Sequence, residues 1–116
     1  MEHHSRRVVA YVAGRVSSGS SSSSVYDYSA SNYFSVGGTA TAERVAIYDY
    51  SIGCHISGNL PSLYHYGDGG HMSLKMDGNR FTGYDYHTGS HFSGTVSGRS
   101  VSVYDYEHST YFNYSV

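Results

Sequence analysis

Apolar and polar residues alternate along most of this chain, as in Val101-Ser102-Val103-Tyr104-Asp105-Tyr106, and a period of two is the signature of a β-strand with two unlike faces. The alternation is itself repeated. Tyr-Asp-Tyr stands at 26–28, 48–50, 84–86 and 104–106, with Tyr64-His65-Tyr66 between them, at spacings of 22, 16, 20 and 20 residues. Eight residues after each first tyrosine comes an apolar residue: Phe34, Ile56, Met72, Phe92 or Phe112. It is preceded by Tyr33, His55, His71, His91 or Tyr111 and followed by a small polar residue. Five copies agreeing in this way define a repeat, and such a period governs the architecture.

Each copy reads as two strands joined by a turn, with glycine late in the turn in three copies, as at Asp68-Gly69. Centring such a hairpin on Thr88-Gly89 sets Tyr86 opposite His91, Asp85 opposite Phe92 and Tyr84 opposite Ser93. The connections between copies must keep even parity, because a slip of one residue turns every side chain to the wrong face. Centres at Asp77-Gly78, Gly98-Arg99 and Leu60-Pro61 do so, placing Leu74 against Phe81, Val96 against Val101 and Gly58 against Leu63. The longer connections, Val16 to Val25 and Val36 to Val45, keep it as well. Tyr11 to Ser17 resembles His91 to Ser97 and reads as an opening half copy, preceded by a disordered segment, residues 1–7. The expectation is a single β-repeat domain over residues 8–116, with copies starting near 25, 47, 63, 83 and 103.

The fold class expected is all-β: an antiparallel up-and-down meander of about eleven short strands. One face collects Val25, Phe34, Val36, Val45, Ile47, Ile56, Leu63, Met72, Leu74, Met76, Phe81, Phe92, Val96, Val101, Val103, Phe112 and Val116. Asp27, Asp49, His65, Asp85 and Asp105 lie on the same face near the hairpin ends, where a rim position would let carboxylates find hydrogen bonds or water. Open sheets of this size curl or close, and closure removes free edges, so a barrel or folded-over sandwich is the leading architecture. The alternative is a β-solenoid of ~20-residue coils, which would stack like aspartates ~4.8 Å apart at a cost of roughly 1 kcal/mol per exposed pair. The plan of strand, glycine-rich turn and strand resembles bacterial curlin repeats, most locally at Tyr66-Gly67-Asp68-Gly69-Gly70, although the glutamine and asparagine positions of that family are missing. The resemblance implies self-assembly.

Composition explains the economy of the pattern. Of 116 residues, 14 are tyrosine, 14 glycine and 22 serine, with one lysine and no tryptophan. Good helix formers are scarce. A net charge of -2, with basic residues scattered apart from Arg6-Arg7, gives no footprint for nucleic acid. No apolar run reaches membrane-spanning length. The short apolar stretch after Arg6-Arg7 falls short of a twin-arginine export signal, so the cytoplasm is the default compartment. Cys54 is the only cysteine, which excludes an intramolecular disulfide and points to a packing role.

The chemistry is sought on the tyrosine face, formed by Tyr26, Tyr28, Tyr48, Tyr50, Tyr64, Tyr66, Tyr84, Tyr86, Tyr104 and Tyr106 with His55, His71 and His91. The three histidines would lie ~10 Å apart on alternate strands of a meander, too far to share a metal ion, and pack instead across from neighbouring tyrosines. No nucleotide motif appears, and Asp, His and Ser recurring in every copy look like architecture rather than a catalytic triad. No enzyme, metal or cofactor is expected. The function expected is that of a non-catalytic structural or self-associating protein, a homo-oligomer or filament. The alternative is a carbohydrate- or other ligand-binding module using the aromatic face.

Overall fold

The computed structural model describes residues 1–116. It is a closed barrel of ten antiparallel strands wrapped around one helix. The helix, α1, spans His3–Ser18. The strands follow as β1 (Ser24–Asp27), β2 (Asn32–Ala40), β3 (Val45–Asp49), β4 (Cys54–Asn59), β5 (Ser62–His65), β6 (Gly70–Asp77), β7 (Arg80–Asp85), β8 (Ser90–Ser97), β9 (Ser100–Asp105) and β10 (Thr110–Ser115). Every strand pairs with its neighbours in sequence, and β1 closes on β10 through Tyr26 opposite Ser115 and Asp27 opposite Tyr114. The meander is therefore a barrel and neither a sandwich nor a solenoid, and it has ten strands rather than eleven.

The missing strand is the helix. Instead of a disordered start and a half copy, residues from His3 onward enter the barrel as α1, and Ser5, Arg6 and Val8 through Gly14 are buried. The bore requires this. Ten strands ~4.8 Å apart and tilted by ~40° enclose a backbone radius of roughly 10 Å, wider than one layer of inward side chains fills. A segment inside a closed barrel has no strand left to pair with, so its N–H and C=O groups must be satisfied within itself, and a helix does that. Hence the valines of α1 are helical against their propensity. Small side chains suit the narrow annulus: a Cβ on Gly14 would come within 2.9 Å of the Val116 Cβ. The helix ends at Gly19, left-handed at φ 67°, whose N–H donates to the Arg15 carbonyl.

The inward face carries the expected core. Val25, Val36, Val45, Ile47, Ile56, Leu63, Leu74, Phe81, Phe92, Val101 and Val103 are all buried, joined by Tyr114. Phe81 and Phe92 lie across from Gly94 and Gly83 and cover them, which leaves no room for a Cβ at either glycine.

The register differs from the expected one by two residues in the repeat hairpins. Asp85 faces Ser90 and Tyr84 faces His91, so Tyr86-His87-Thr88-Gly89 is a four-residue loop, and the second tyrosine of each triplet belongs to the loop. The residue before each loop starts the turn early: in four copies the aspartate Oδ1 accepts the N–H two residues on, at Ser29, Ser51, His87 and Glu107, and in the third His65 Nδ1 accepts the Asp68 N–H. A shift of two preserves parity, which is why the faces are right although the partners are not. At the other end Met76, not Leu74, faces Phe81, while Val96 faces Val101 and Gly58 faces Leu63 as expected.

The five loops end alike, with Ser31, Gly53, Gly69, Gly89 and Ser109 all left-handed at φ between 51° and 68°. A serine in that region carries a strain of about 1–2 kcal/mol that glycine escapes, part of which glycine loses in unfolded-chain entropy. Ser109→Gly is expected to raise stability by about 0.5 kcal/mol in chemical denaturation. Gly14→Leu, which drives a side chain into Val116, is expected to lower it by about 1–3 kcal/mol or more in the same measurement.

Candidate functional site

The hairpin loops gather at the end of the barrel where α1 begins, and two arrangements meet there. Outside is an aromatic collar; inside is a polar ring that holds the helix.

On the outer wall each repeat builds the same three-ring cluster. Tyr26, Tyr48, Tyr64, Tyr84 and Tyr104 are half-buried, and each stands between two other rings. One is the loop tyrosine of the same triplet: Tyr28, Tyr50, Tyr66, Tyr86 or Tyr106. The other is the cross-strand partner: Tyr33, His55, His71, His91 or Tyr111. Centroids are 4.6–4.9 Å apart and ring planes meet at 65–79° in all ten contacts, the edge-to-face geometry that aromatic quadrupoles favour. The residues singled out from sequence are therefore brought together copy by copy. The histidines pair with Tyr48, Tyr64 and Tyr84, rather than with the second tyrosine of each triplet.

The loop tyrosines stay 55–65% exposed, and Tyr66 and Tyr86 lie beside the preceding hairpin. The N–H groups of Tyr66, Tyr86 and Tyr106 donate to the carbonyls of His55, His71 and His91 in the preceding copy, at 3.0–3.2 Å. Shallow grooves open at the first two of these junctions. One, of about 670 Å³, lies among Tyr66, His55, Ser57 and Ala46; its counterpart one copy on, of about 400 Å³, lies among Tyr86, His71, Ser73 and Ser62. Each offers an aromatic face, an imidazole and hydroxyl groups.

Inside the same mouth, Asp27, Asp49, His65, Asp85 and Asp105 are fully buried rather than at a wet rim. Burial is tolerated because each carboxylate caps its own loop and the helix supplies cations to two of them. The Arg6 guanidinium donates to Asp105 Oδ2 at 2.9 Å and stacks over the Phe112 ring, 3.7 Å from its centroid. Arg7 repeats the pattern one hairpin on, with Asp27 Oδ2 at 3.4 Å and the Phe34 ring at 3.8 Å. Burial pushes the Asp105 carboxyl up, yet hydrogen bonds from His108, the Glu107 N–H and Arg6 together hold it below its ordinary value of 3.8. Burial likewise raises the Tyr114 hydroxyl, which stays protonated beside Arg6. The Cys54 thiol is raised too, mainly by burial, against reactivity.

Sequence reasoning passed over His4, Ser5, Arg6, Arg7 and Asp68, all at this mouth. The signal available was charge balance, four aspartates on the core face and two adjacent arginines with no other evident partner. No helix is long and apolar enough to cross a membrane. Comparison with protein-family models, with curated proteins and with solved structures finds no match to this chain.

Because the folded Asp105 carboxyl titrates below its unfolded value, the stability it contributes is complete above about pH 4 and is lost as pH falls through the folded value. Asp105→Asn should therefore flatten the acid limb of a stability profile recorded from pH 5 to pH 2. At neutral pH the same change strands Arg6, and thermal or urea unfolding should show a loss of about 3–5 kcal/mol.

Proposed function

We propose that the protein is a non-catalytic recognition module whose collar binds a polyhydroxylated, carbohydrate-type ligand at several equivalent grooves. The observation that carries this reading is the repetition on the outer wall of one small groove, in which a loop tyrosine faces the imidazole and serine of the preceding hairpin. An aromatic face suits the apolar side of a sugar ring, while Ser57 or Ser73 and the histidines supply the few placed polar groups that fix orientation. The bore is filled by α1, so an internal ligand of the kind that wider barrels carry has no place. Each groove alone would be weak, and its repetition around the collar makes avidity the source of strength.

Self-association through the same collar is the second reading. It is favoured by seven tyrosines that are each more than half exposed, Tyr28, Tyr33, Tyr50, Tyr66, Tyr86, Tyr106 and Tyr111. Barrel closure removes free strand edges, so such association would have to run face to face and not by strand addition of the cross-β kind.

A glycan array followed by NMR titration distinguishes the two. Under the first reading a monomeric protein shows shifts confined to loop-tyrosine, histidine and serine signals. The double variant Tyr66→Ser with Tyr86→Ser then lowers apparent affinity for a multivalent glycan by about tenfold or more, while the loss of two edge-to-face contacts costs about 1–3 kcal/mol of stability and leaves the protein folded. No glycan response together with a sedimentation coefficient that rises with concentration would replace the first reading by the second.

A further inference from the structure

The repeat is broken at one inner position, and the helix breaks with it. Where four copies place Asp27, Asp49, Asp85 and Asp105 on the inner face, the third has His65. Its carboxylate reappears three residues later as Asp68, at the position of Ala30, Ile52, Thr88 and His108. The fifth copy holds the reverse arrangement, inner Asp105 with loop His108 at 3.0 Å. Opposite Asp105 and Asp27 the helix brings arginines; opposite His65 and Asp68 it brings His4 and Ser5 instead.

The geometry there is compact. His4 Nε2 lies 2.7 Å from Asp68 Oδ1, Ser5 Oγ donates to Asp68 Oδ2 at 2.9 Å, and His65 Nδ1 stands 3.9 Å from that same oxygen. The two imidazoles are 5.2 Å apart between centroids, and one ligating atom from each of His4, His65 and Asp68 falls within 4.8 Å of the others. The cluster is sheltered: His65 is 1% exposed, and the side chains of Asp68 and His4 are 6% and 21% exposed. His65 Nδ1 takes the Asp68 N–H at 3.1 Å, whereas Nε2 is buried with no hydrogen-bond partner. An orphaned polar atom in an interior is uncommon and calls for an explanation.

We infer that His4, His65 and Asp68 form a binding site for one divalent transition-metal ion of the zinc type. Zinc bonds of about 2.0–2.1 Å in tetrahedral geometry put ligand atoms roughly 3.3 Å apart, and with one ligating atom of each side chain within 4.8 Å of the others, small rotamer changes close the set on one ion. Two imidazoles and one carboxylate select zinc-like ions over magnesium or calcium, which favour oxygen ligands. In the metal-free ring Nδ1 accepts the Asp68 N–H and Nε2 carries the proton, so ligation through Nε2 would move that proton to Nδ1, 3.9 Å from Asp68 Oδ2, in place of the Asp68 N–H bond, and would give the buried Nε2 a partner. A purely hydrogen-bonded trio leaves Nε2 without one and gives no reason for the exchange of His and Asp within this one copy. The fourth position falls to Ser5 Oγ or to water on the exposed side of His4. Such an ion would fasten α1 to the third hairpin, as Arg6 and Arg7 fasten it to the fifth and first.

The test uses the full chain, stripped with EDTA and titrated with cobalt(II) as a spectroscopic probe and then with zinc. The expected result is one equivalent of cobalt with the intense visible bands of four-coordinate geometry, displaced by one equivalent of zinc, and a rise in Tm of several degrees on zinc addition. His4→Gln, on the partly exposed side and so the safest for folding, should weaken binding at least tenfold, as should Asp68→Asn. His108→Gln, at the reversed pair, should bind as the wild type does. A cobalt spectrum no different from that of the aqueous ion, equal affinity in His4→Gln and wild type, or loss of binding in His108→Gln would each overturn the assignment.

Discussion

The bore of the barrel is the constraint on which the rest depends. A ten-stranded ring is too wide to be closed by its own side chains, and whatever fills it must leave no backbone group unsatisfied. One helix of small apolar residues meets both conditions, with Val8, Val9, Ala10, Val12 and Ala13 buried on all sides. The polar work follows from the same requirement. The first turns of α1 emerge at the mouth where the loops converge, so the loop-capping aspartates and the helix's Arg6 and Arg7 are buried together and satisfy one another.

Outside and inside then obey different symmetries. The outer wall sees only solvent and neighbouring hairpins, and its five aromatic clusters are alike to within a few tenths of an ångström. The inner wall sees a single helix, which cannot present the same face to five hairpins. Asp27 and Asp105 meet arginines, and Asp49 and Asp85 bond only to their own loops through Ser51, His87 and Thr88. His65 meets His4 across their tilted rings. On the inner wall the repeat therefore diverges to meet the helix, while the outer clusters keep one geometry with tyrosine as the cross-strand ring in two copies and histidine in three.

Much of the barrel was legible because strand alternation and parity are local properties. The division into an inner face with Ile56 and Leu74 and an outer face with Tyr48 and His55 survives any shift of register by two. The loop register was not legible, since it depends on the side chain before each loop, aspartate in four copies and His65 in the third, bonding its own turn. The helix was least legible of all. Val8 to Val16 carries no 3.6-residue amphipathic period because it has no solvent face, and its valines read as strand. Nothing local announces that a segment will be enclosed. Accordingly the aromatic half of the candidate surface was identified, while His4, Arg6, Arg7 and Asp68 came into view only once the helix was in place.

The seam between β1 and β10 is the thinnest joint in the ring, two residue pairs followed by the bond from the Tyr28 N–H to the Asn113 carbonyl. The helix that the ring encloses is covalently continuous with β1, through Gly19 to Ser23. A helix cannot be threaded into a finished barrel through a mouth already crowded by its own loops. The sheet must close around α1, as a wall stands around a post, rather than receive it afterwards. The ring is thus closed by its first and last strands, and the hairpins between them can be nearly interchangeable because each meets only its neighbours in sequence.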